Sequence, residues 1–147
     1  MDKKFLGFAV NLFISQKGID KRESKEKLIF ELDGVRDDKF RGKDIQRSIL
    51  LVSLISYKLA KQNGIEISYG ELGENILVDF DPYSFEAGDK LEIGDVVIEI
   101  TKLSSLCSSL PKIDSKLPKL LKDKRGIFAK VINNGSINQG DKISLIN

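Results

Sequence analysis

The stretch DKLEIGDVVIEIT, residues 89–101, is the part of the sequence that decides the kind of fold. Apolar residues occupy every second position on both sides of the dipeptide Gly94-Asp95. Strict alternation is typical of a half-buried strand, and a glycine-aspartate pair between two such runs is typical of a tight hairpin turn. We therefore predict a β-hairpin centred on this dipeptide.

Further runs typical of strands are distributed along the rest of the chain. They lie at residues 6–14, 28–32, 76–80 and 127–146, and a short run of leucine and β-branched residues lies at 49–53. In the run at 127–146, Asn134-Gly135 predicts a second hairpin. The first run follows two lysines as in a signal peptide, but Asn11 interrupts it and no small-residue cleavage site follows, so we predict a strand instead.

Helical signals are few. Ser53 has the character of an N-cap for a helix over residues 53–63, in which Ile55 and Leu59 share a face and after which Gly64 ends the helix. A second short helix is predicted within residues 114–126, with Pro118 near its start. Many short strands, tight turns and few helices predict a mainly β fold, a closed or nearly closed β-barrel with one or two short helices.

The composition limits the classes of function. The chain has 147 residues, 31% of them charged, a net charge of +2, a single cysteine and no histidine. The length fits a single globular domain, and the small net charge does not predict nucleic-acid binding. The lack of histidine excludes a Ser-His-Asp triad and histidine-ligated metal sites, and one cysteine excludes an internal disulfide. With no apolar stretch of membrane-spanning length, we expect a cytoplasmic protein that binds neither membranes nor nucleic acid.

The single cysteine, Cys107, lies in KLSSLCSSLPK, residues 102–112, directly after the strand predicted at 96–101. Neighbouring serine hydroxyls and the lysines at 102 and 112 would favour a thiolate, and loops at the ends of strands often carry functional groups. The alternative is an inert, half-buried cysteine that packs beside leucines. Both interpretations remain open on the residues alone.

Two further segments contain residues suited to binding. In YGELGENILVD, residues 69–79, Gly73 allows a ligand to approach the backbone, and Glu74 and Asn75 offer hydrogen-bonding groups. Ordinary turn chemistry explains the same residues. In DGVRDDKFRGKDIQR, residues 33–47, alternating acidic and basic residues suit acid-base work or a hard cation, but a solvated loop with local ion pairs is favoured.

The order of these segments resembles the MOSC domain, the family named for the C-terminal region of molybdenum cofactor sulfurases. The resemblance runs from about Gly34 to Leu145, and a single MOSC domain over residues 1–147 is expected. The most telling pieces, in chain order, are Gly73-Glu74-Asn75, the Gly88-Asp89 turn, Cys107 after its strand, Arg125-Gly126 and Gly140-Asp141. Many relatives also carry histidine in the loop that matches residues 36–44, and this chain has none.

The resemblance implies a barrel-like fold that binds the molybdenum cofactor, molybdopterin. The resemblance also implies that Cys107 is the catalytic residue. Its thiolate would either ligate molybdenum or carry sulfur as a persulfide. The cofactor-binding residues implied are Arg47, Gly73, Glu74, Asn75 and Arg125, with the two arginines as anion contacts.

The family suggests three functions. The first is a molybdenum-dependent reductase of N-hydroxylated compounds that takes electrons from an electron-transfer protein. The second is a non-enzymatic sulfur or cofactor carrier that a cysteine desulfurase would load. The third is a ligand-binding barrel without catalysis. Pyridoxal phosphate binding is associated with the family at large, through a desulfurase domain that this sequence does not contain, so sulfur or electrons are expected to come from partners.

Overall fold

The computed structural model describes residues 2–19, 22–104 and 110–146. The strands of this part of the chain are β1 Lys3–Ile14, β2 Glu23–Lys25, β3 Lys27–Glu31, β4 Gly34–Val35, β5 Ile49–Ser53, β6 Ile76–Val78, β7 Lys90–Ile93, β8 Val96–Leu103, β9 Ile127–Val131, β10 Gly135–Asn138 and β11 Lys142–Ile146. Its helices are α1 Leu54–Gln62, α2 Leu110–Ile113, α3 Leu117–Leu120 and a 3-10 turn, Ile45–Arg47.

Seven of these strands form a closed barrel. The order around the ring is β11-β7-β8-β9-β5-β6-β1, and pairing of β1 with β11 closes it. All neighbours are antiparallel except β5 and β6, which α1 connects in parallel. Strand β2 extends the sheet beside β1, and β10, β3 and β4 form a separate small sheet. The predicted fold class, a mainly β barrel with short helices, is confirmed.

The hairpin predicted from the opening stretch is present. Strands β7 and β8 pair in antiparallel register, with Ile93 opposite Val96. Gly94 has a φ of 55° and makes the turn. Strands β7 and β11 each follow a turn of another kind. In these turns the side chains of Asp89 and Asp141 accept a hydrogen bond from the backbone N–H three residues earlier, at 2.8 and 2.7 Å.

The hairpin predicted at Asn134-Gly135 is wrong. Strand β9 pairs with β8 and β5, whereas β10 crosses to β3 and places Ile137 opposite Leu28. The side chain of Asn133 redirects the chain, because its Oδ1 accepts from Val97 N at 2.6 Å and its Nδ2 donates to Asp95 O at 3.0 Å. These bonds hold the segment after β9 against the β7–β8 turn, and β10 then pairs with β3 in the separate small sheet.

Strand β1 departs from simple alternation. Its pairing shifts between Phe5 and Gly7 and again between Ala9 and Asn11. Each irregularity exchanges the two faces of the strand. Phe8, expected on the buried face, is therefore 39% exposed, while Ala9 is fully buried.

Helix α1 begins and ends as predicted but buries a different face. Ser53 caps it by accepting from Ile55 N, and Gly64 follows its end with a φ of 76°. The buried positions are Ser56, Tyr57 and Ala60, whereas Ile55 and Leu59 are only half-buried. Tyr57 and Ala60 belong to a second apolar cluster that packs the helices on the outside of the barrel. In the described ranges no helix has the length and apolar character needed to cross a membrane.

Candidate functional site

A cavity of about 770 Å³ opens between three parts of the chain outside the barrel. One wall is the loop of residues 38–48, a second is the loop of residues 68–73, and the third comprises Ser104, Leu110, Lys112, Ile113 and Arg125. Asn75 and Arg22 also line it. The loop 38–48 is attached to the end of β1, since Lys39 N donates to Ser15 O at 2.7 Å.

The lining of this cavity is rich in positive charge. Its cationic side chains are Arg22, Lys39, Lys43, Arg47, Lys112 and Arg125. Its carboxylates are Asp38, Asp44 and Glu71. A cavity with such an excess of cations over carboxylates attracts anions, and low-dielectric walls strengthen that attraction.

The carboxylate of Asp38 is hydrogen-bonded to backbone N–H groups. It accepts from Ser15 N at 2.6 Å and from Phe40 N at 3.2 Å, and the side chain is only 3% exposed. It also forms an ion pair with the Arg22 guanidinium, with 3.8 Å between Nη1 and Oδ1. Asp38 therefore shapes the loop 38–48 and does not present a carboxylate to a ligand.

The other two carboxylates of the cavity are also engaged. Asp44 accepts from Gln46 N at 3.1 Å and pairs with Arg47 at 3.6 Å, and Glu71 accepts from Ser68 N at 2.5 Å. Across the described residues, no group of three or more acidic or cysteine side chains is arranged to hold a metal ion. The local ion pairs agree with the favoured interpretation of residues 33–47 as a charged loop.

The structure brings the two arginines implied as anion contacts into the same cavity. Arg47 carries its guanidinium 5.5 Å from the ring centroid of Phe128. Arg125 donates from Nη2 to Pro118 O at 2.6 Å, which links its side chain to α3. Arg47 and Arg125 therefore line one cavity, although they come from segments that are far apart in the chain.

Gly73 and Asn75 line the cavity as expected. Gly73 has a φ of 93°, a conformation that favours glycine, and leaves its part of the wall without a side chain. The amide of Asn75 is largely used inside the protein, since Oδ1 accepts from Leu50 N at 3.0 Å and Nδ2 donates to Phe13 O at 3.3 Å.

Glu74 lies behind the cavity wall instead of on it. It is fully buried, and its Oε2 accepts from the Tyr57 hydroxyl at 2.6 Å and from Gly70 N at 3.1 Å. Burial raises the pKa of Glu74, and burial together with the adjacent carboxylate raises the pKa of Tyr57. Glu74 thus supports the loop 68–73 from inside the protein.

Cys107 lies outside the described residues. The segment of the chain that contains it, residues 105–109, connects Ser104 to Leu110, and both of these residues line the cavity. Lys112, which was expected to favour a thiolate, lines it as well, whereas Lys102 does not. Ser104 is itself held in place, since its N–H donates to Gly126 O at 2.9 Å.

Sequence reasoning missed Arg22 and Tyr69. The side chain of Arg22 is only 13% exposed and its Cζ lies 5.8 Å from the ring centroid of Phe40. It belongs to a polar run without apolar periodicity, so nothing in the pattern distinguishes it from its neighbours. Tyr69 lines the cavity with a half-exposed ring, and only its position before Gly70 hinted at a loop role.

Comparison with known proteins identifies what this arrangement is similar to. The family model for the MOSC domain matches residues 37–144. The solved structure of the YUAD protein from Bacillus subtilis superposes with a TM-score of 0.82 at 20% identity, over 98% of this chain and 97% of that one. YiiM from Geobacillus stearothermophilus gives a TM-score of 0.77 at 16% identity, over 99% and 76%. YiiM from Escherichia coli gives 0.70 at 18% identity, over 97% and 70%.

At these identities the solved structures establish a shared fold and nothing finer. A comparison with curated protein sequences gave no significant match.

Proposed function

This chain belongs to the MOSC domain family, and from that premise we propose that its cavity binds the molybdenum cofactor, molybdopterin, with Cys107 as the protein ligand to molybdenum. One observation carries the proposal. The residues on either side of the segment that contains Cys107, Ser104 and Leu110, line the same cavity as Arg47 and Arg125. The proposal therefore assigns a sulfur ligand and anion contacts to a single space.

The residues present fit such a cofactor. The volume of about 770 Å³ lies within the range of about 300–1,000 Å³ that is usual for sites of small molecules and cofactors. Arginine and lysine side chains suit the terminal phosphate of the pterin. Soft thiolate suits a metal that already has sulfur ligands, and the chain has one cysteine, one methionine and no histidine.

In this proposal each group has a distinct role. Arg47, Lys112 and Arg125 bind the phosphate. Gly73 and Asn75 form the wall beside the pterin, and Glu74 holds that wall in shape from behind. Cys107 binds the metal through its thiolate, and Lys112, five residues further along the chain, supplies a positive charge of the kind that favours a thiolate over a thiol.

For the reaction, we propose the reduction of an N-hydroxylated compound with electrons from an electron-transfer protein. The cofactor, when bound, supplies the redox chemistry, and the protein supplies binding and orientation. The cationic lining retains the cofactor between encounters with the electron donor, because the phosphate contacts lie on two separate walls of the cavity.

A second function uses the same cysteine. As a sulfur carrier, Cys107 would accept a sulfur atom from a cysteine desulfurase and hold it as a persulfide. Lys112 on the cavity wall supports this alternative too, because it favours the thiolate that attacks the donor. Incubation with a desulfurase and cysteine should then add the mass of one sulfur to the wild type and none to the Cys107→Ala variant.

Cofactor binding is tested by the pterin content of the protein. Wild type produced in a host that makes the cofactor, or reconstituted with it, should retain pterin through gel filtration. The Arg47→Met/Arg125→Met variant should retain much less, since it loses two phosphate contacts. Lys58→Met is the matched control, because Lys58 is exposed on α1 and lies outside the cavity. Wild type without pterin, despite proven supply, would contradict the proposal and leave the carrier or a plain binding barrel.

A further inference from the structure

The segment of residues 110–125 holds more positive charge than the chain as a whole. Of the 24 Lys and Arg residues and the 22 Asp and Glu residues of the chain, the segment contains six and two. It therefore has a net charge of +4, whereas the residues outside it together have a net charge of −2. One short basic segment thus lies on a protein whose remainder is weakly acidic.

Buried leucines and a hydrogen bond fix this segment on the outside of the barrel. Helices α2 and α3 lie in it, and Leu110, Leu117 and Leu121 are 2%, 0% and 0% exposed. These leucines pack in the second apolar cluster, together with residues of α1. The hydroxyl of Ser56 on α1 donates to Lys124 O at 2.6 Å, which ties the end of the segment to that helix.

The exposed side of the segment is covered by lysines. Its exposed ammonium groups, named here the lysine surface, belong to Lys112, Lys116, Lys119 and Lys122. Within the described ranges, none of these four lysines forms an ion pair with a carboxylate. Of the two aspartates, Asp114 accepts from Lys116 N at 2.8 Å and Asp123 is exposed. The lysine surface therefore keeps a net positive charge.

The lysine surface adjoins the cavity. Lys112 and Arg125, near the two ends of the segment, line the cavity. Arg125 donates from Nη2 to Pro118 O at 2.6 Å, so the cavity wall is directly linked to α3. The other three lysines of the surface do not line the cavity: Lys116, Lys119 and Lys122. A partner bound to them would lie beside the proposed cofactor without entering its site.

The composition of the segment favours a protein partner over a nucleic acid or a membrane. The segment contains no aromatic residue on which a base could stack. None of its large apolar side chains is exposed, so it offers no group that would insert into a bilayer. Exposed lysines suit a weak encounter that is steered by charge, and complexes of electron-transfer proteins are of this weak kind.

Resting on the proposed function, we propose that the lysine surface docks the electron-transfer protein, and that the docking face of this partner is acidic. Charge complementarity carries the proposal. An acidic face is attracted to the segment of net charge +4 and repelled by the remainder of net charge −2. The partner is thereby steered to the side of the molecule that carries the cavity.

Association kinetics of the cofactor-loaded protein test the proposal with two probes, a flavodoxin of net negative charge and a cytochrome c of net positive charge. At low ionic strength the wild type should bind the flavodoxin and not the cytochrome. Lys116→Gln/Lys119→Gln/Lys122→Gln should lower the association rate constant for the flavodoxin roughly tenfold or more, since exposed charges act mainly on association.

The matched control removes the same charge from another part of the molecule. Lys27→Gln/Lys90→Gln/Lys142→Gln replaces three lysines that are also exposed and lie outside the cavity. It should change the association rate constant by less than about twofold, because these charges lie away from the docking surface. Raising the ionic strength from about 0.01 M to about 0.15 M should remove most of the difference between the two triple variants.

Equal rate constants in the two triple variants at low ionic strength, or no binding of the flavodoxin by the wild type, would overturn the proposal. So would tighter binding of a DNA duplex or of phosphatidylserine vesicles than of the flavodoxin through Lys116, Lys119 and Lys122. The surface would then serve a nucleic acid or a membrane.

The molybdenum and pterin content of the same samples separates this proposal from the preceding one. Lys116→Gln/Lys119→Gln/Lys122→Gln should keep the cofactor content of the wild type, because none of the three lysines lines the cavity. Wild type without cofactor that still binds the flavodoxin through these lysines would contradict only the cofactor proposal. Cofactor-loaded wild type with equal rate constants in the two triple variants would contradict only the docking proposal.

Discussion

The hydroxyl group of Tyr57 donates a hydrogen bond of 2.6 Å to Oε2 of Glu74, and neither residue lines the cavity that the pair supports. The same hydroxyl oxygen accepts from Gly70 N at 3.0 Å and from Leu72 N at 3.2 Å. All residues from 68 to 73 line the cavity. One buried pair therefore fixes the shape of a complete wall.

Replacing Tyr57 by phenylalanine should destabilise the protein and loosen this wall. The substitution leaves the Leu72 N–H without its acceptor and Glu74 without its hydroxyl donor. Loss of such buried hydrogen bonds costs about 1–3 kcal/mol of unfolding free energy. Chemical denaturation measures the loss, with Tyr69→Phe as the control because the Tyr69 side chain is half-exposed. A Tyr57→Phe variant as stable as the wild type would show that the pair does not hold the wall.

The buried carboxylate of Glu74 should make stability depend on pH. Burial raises its pKa above the ordinary value of 4.5, and in the described part of the chain its Oε1 has no hydrogen-bond partner. The folded state therefore binds the proton more tightly than the unfolded state, and its stabilising contribution, complete below pH 4.5, is lost as the pH rises through the raised pKa.

The Glu74→Gln variant lacks this titration. The difference in unfolding free energy, wild type minus variant, should fall with rising pH by up to about 1.4 kcal/mol per pH unit in that window. Denaturation at a series of pH values measures it. A difference that stays constant, or that increases with pH, would contradict the raised pKa.

The turn at Gly94 should tolerate a side chain less well than the turn at Gly88. Both glycines have positive φ, 55° and 100°. A methyl group at 94 would overlap Asp141 Oδ2, which accepts from Asn138 N, whereas one at 88 would meet nothing within 4 Å. Gly88→Ala should thus cost about 1 kcal/mol from backbone strain, and Gly94→Ala about 3 kcal/mol. Thermal unfolding compares the two, and equal losses would argue against the packing of Gly94 on Asp141.

Local signals in the sequence predicted the strands and turns of the barrel better than they predicted which strands pair with each other. The Gly94-Asp95 turn and the Ser53 cap depend on neighbouring residues and were found. The pairing of β10 with β3 depends on Asn133, whose side chain contacts the β7–β8 turn 36 and 38 residues away in the chain. No local pattern contains that information.

The candidate site was predictable in part for the same reason. Arg47, Gly73, Asn75 and Arg125 were named from the family resemblance, and the structure places them around one cavity. Glu74 was expected on the wall but turns inward to Tyr57, a contact that joins residues 17 positions apart. Arg22 likewise contacts Asp38 and Phe40, which are distant from it in the chain. The charged run around Arg22 has no apolar periodicity that would have predicted these contacts.

The central claim is that Cys107 binds molybdenum in this cavity, and the metal content of two proteins tests it most directly. Wild type and Cys107→Ala are produced with proven cofactor supply, passed through gel filtration and analysed for molybdenum and pterin. The wild type should retain molybdenum, and Cys107→Ala should lose it while keeping pterin through Arg47 and Arg125, because carboxylates favour harder, more hydrated ions than a metal with sulfur ligands. Equal molybdenum in both proteins, or none in the wild type, would contradict the claim.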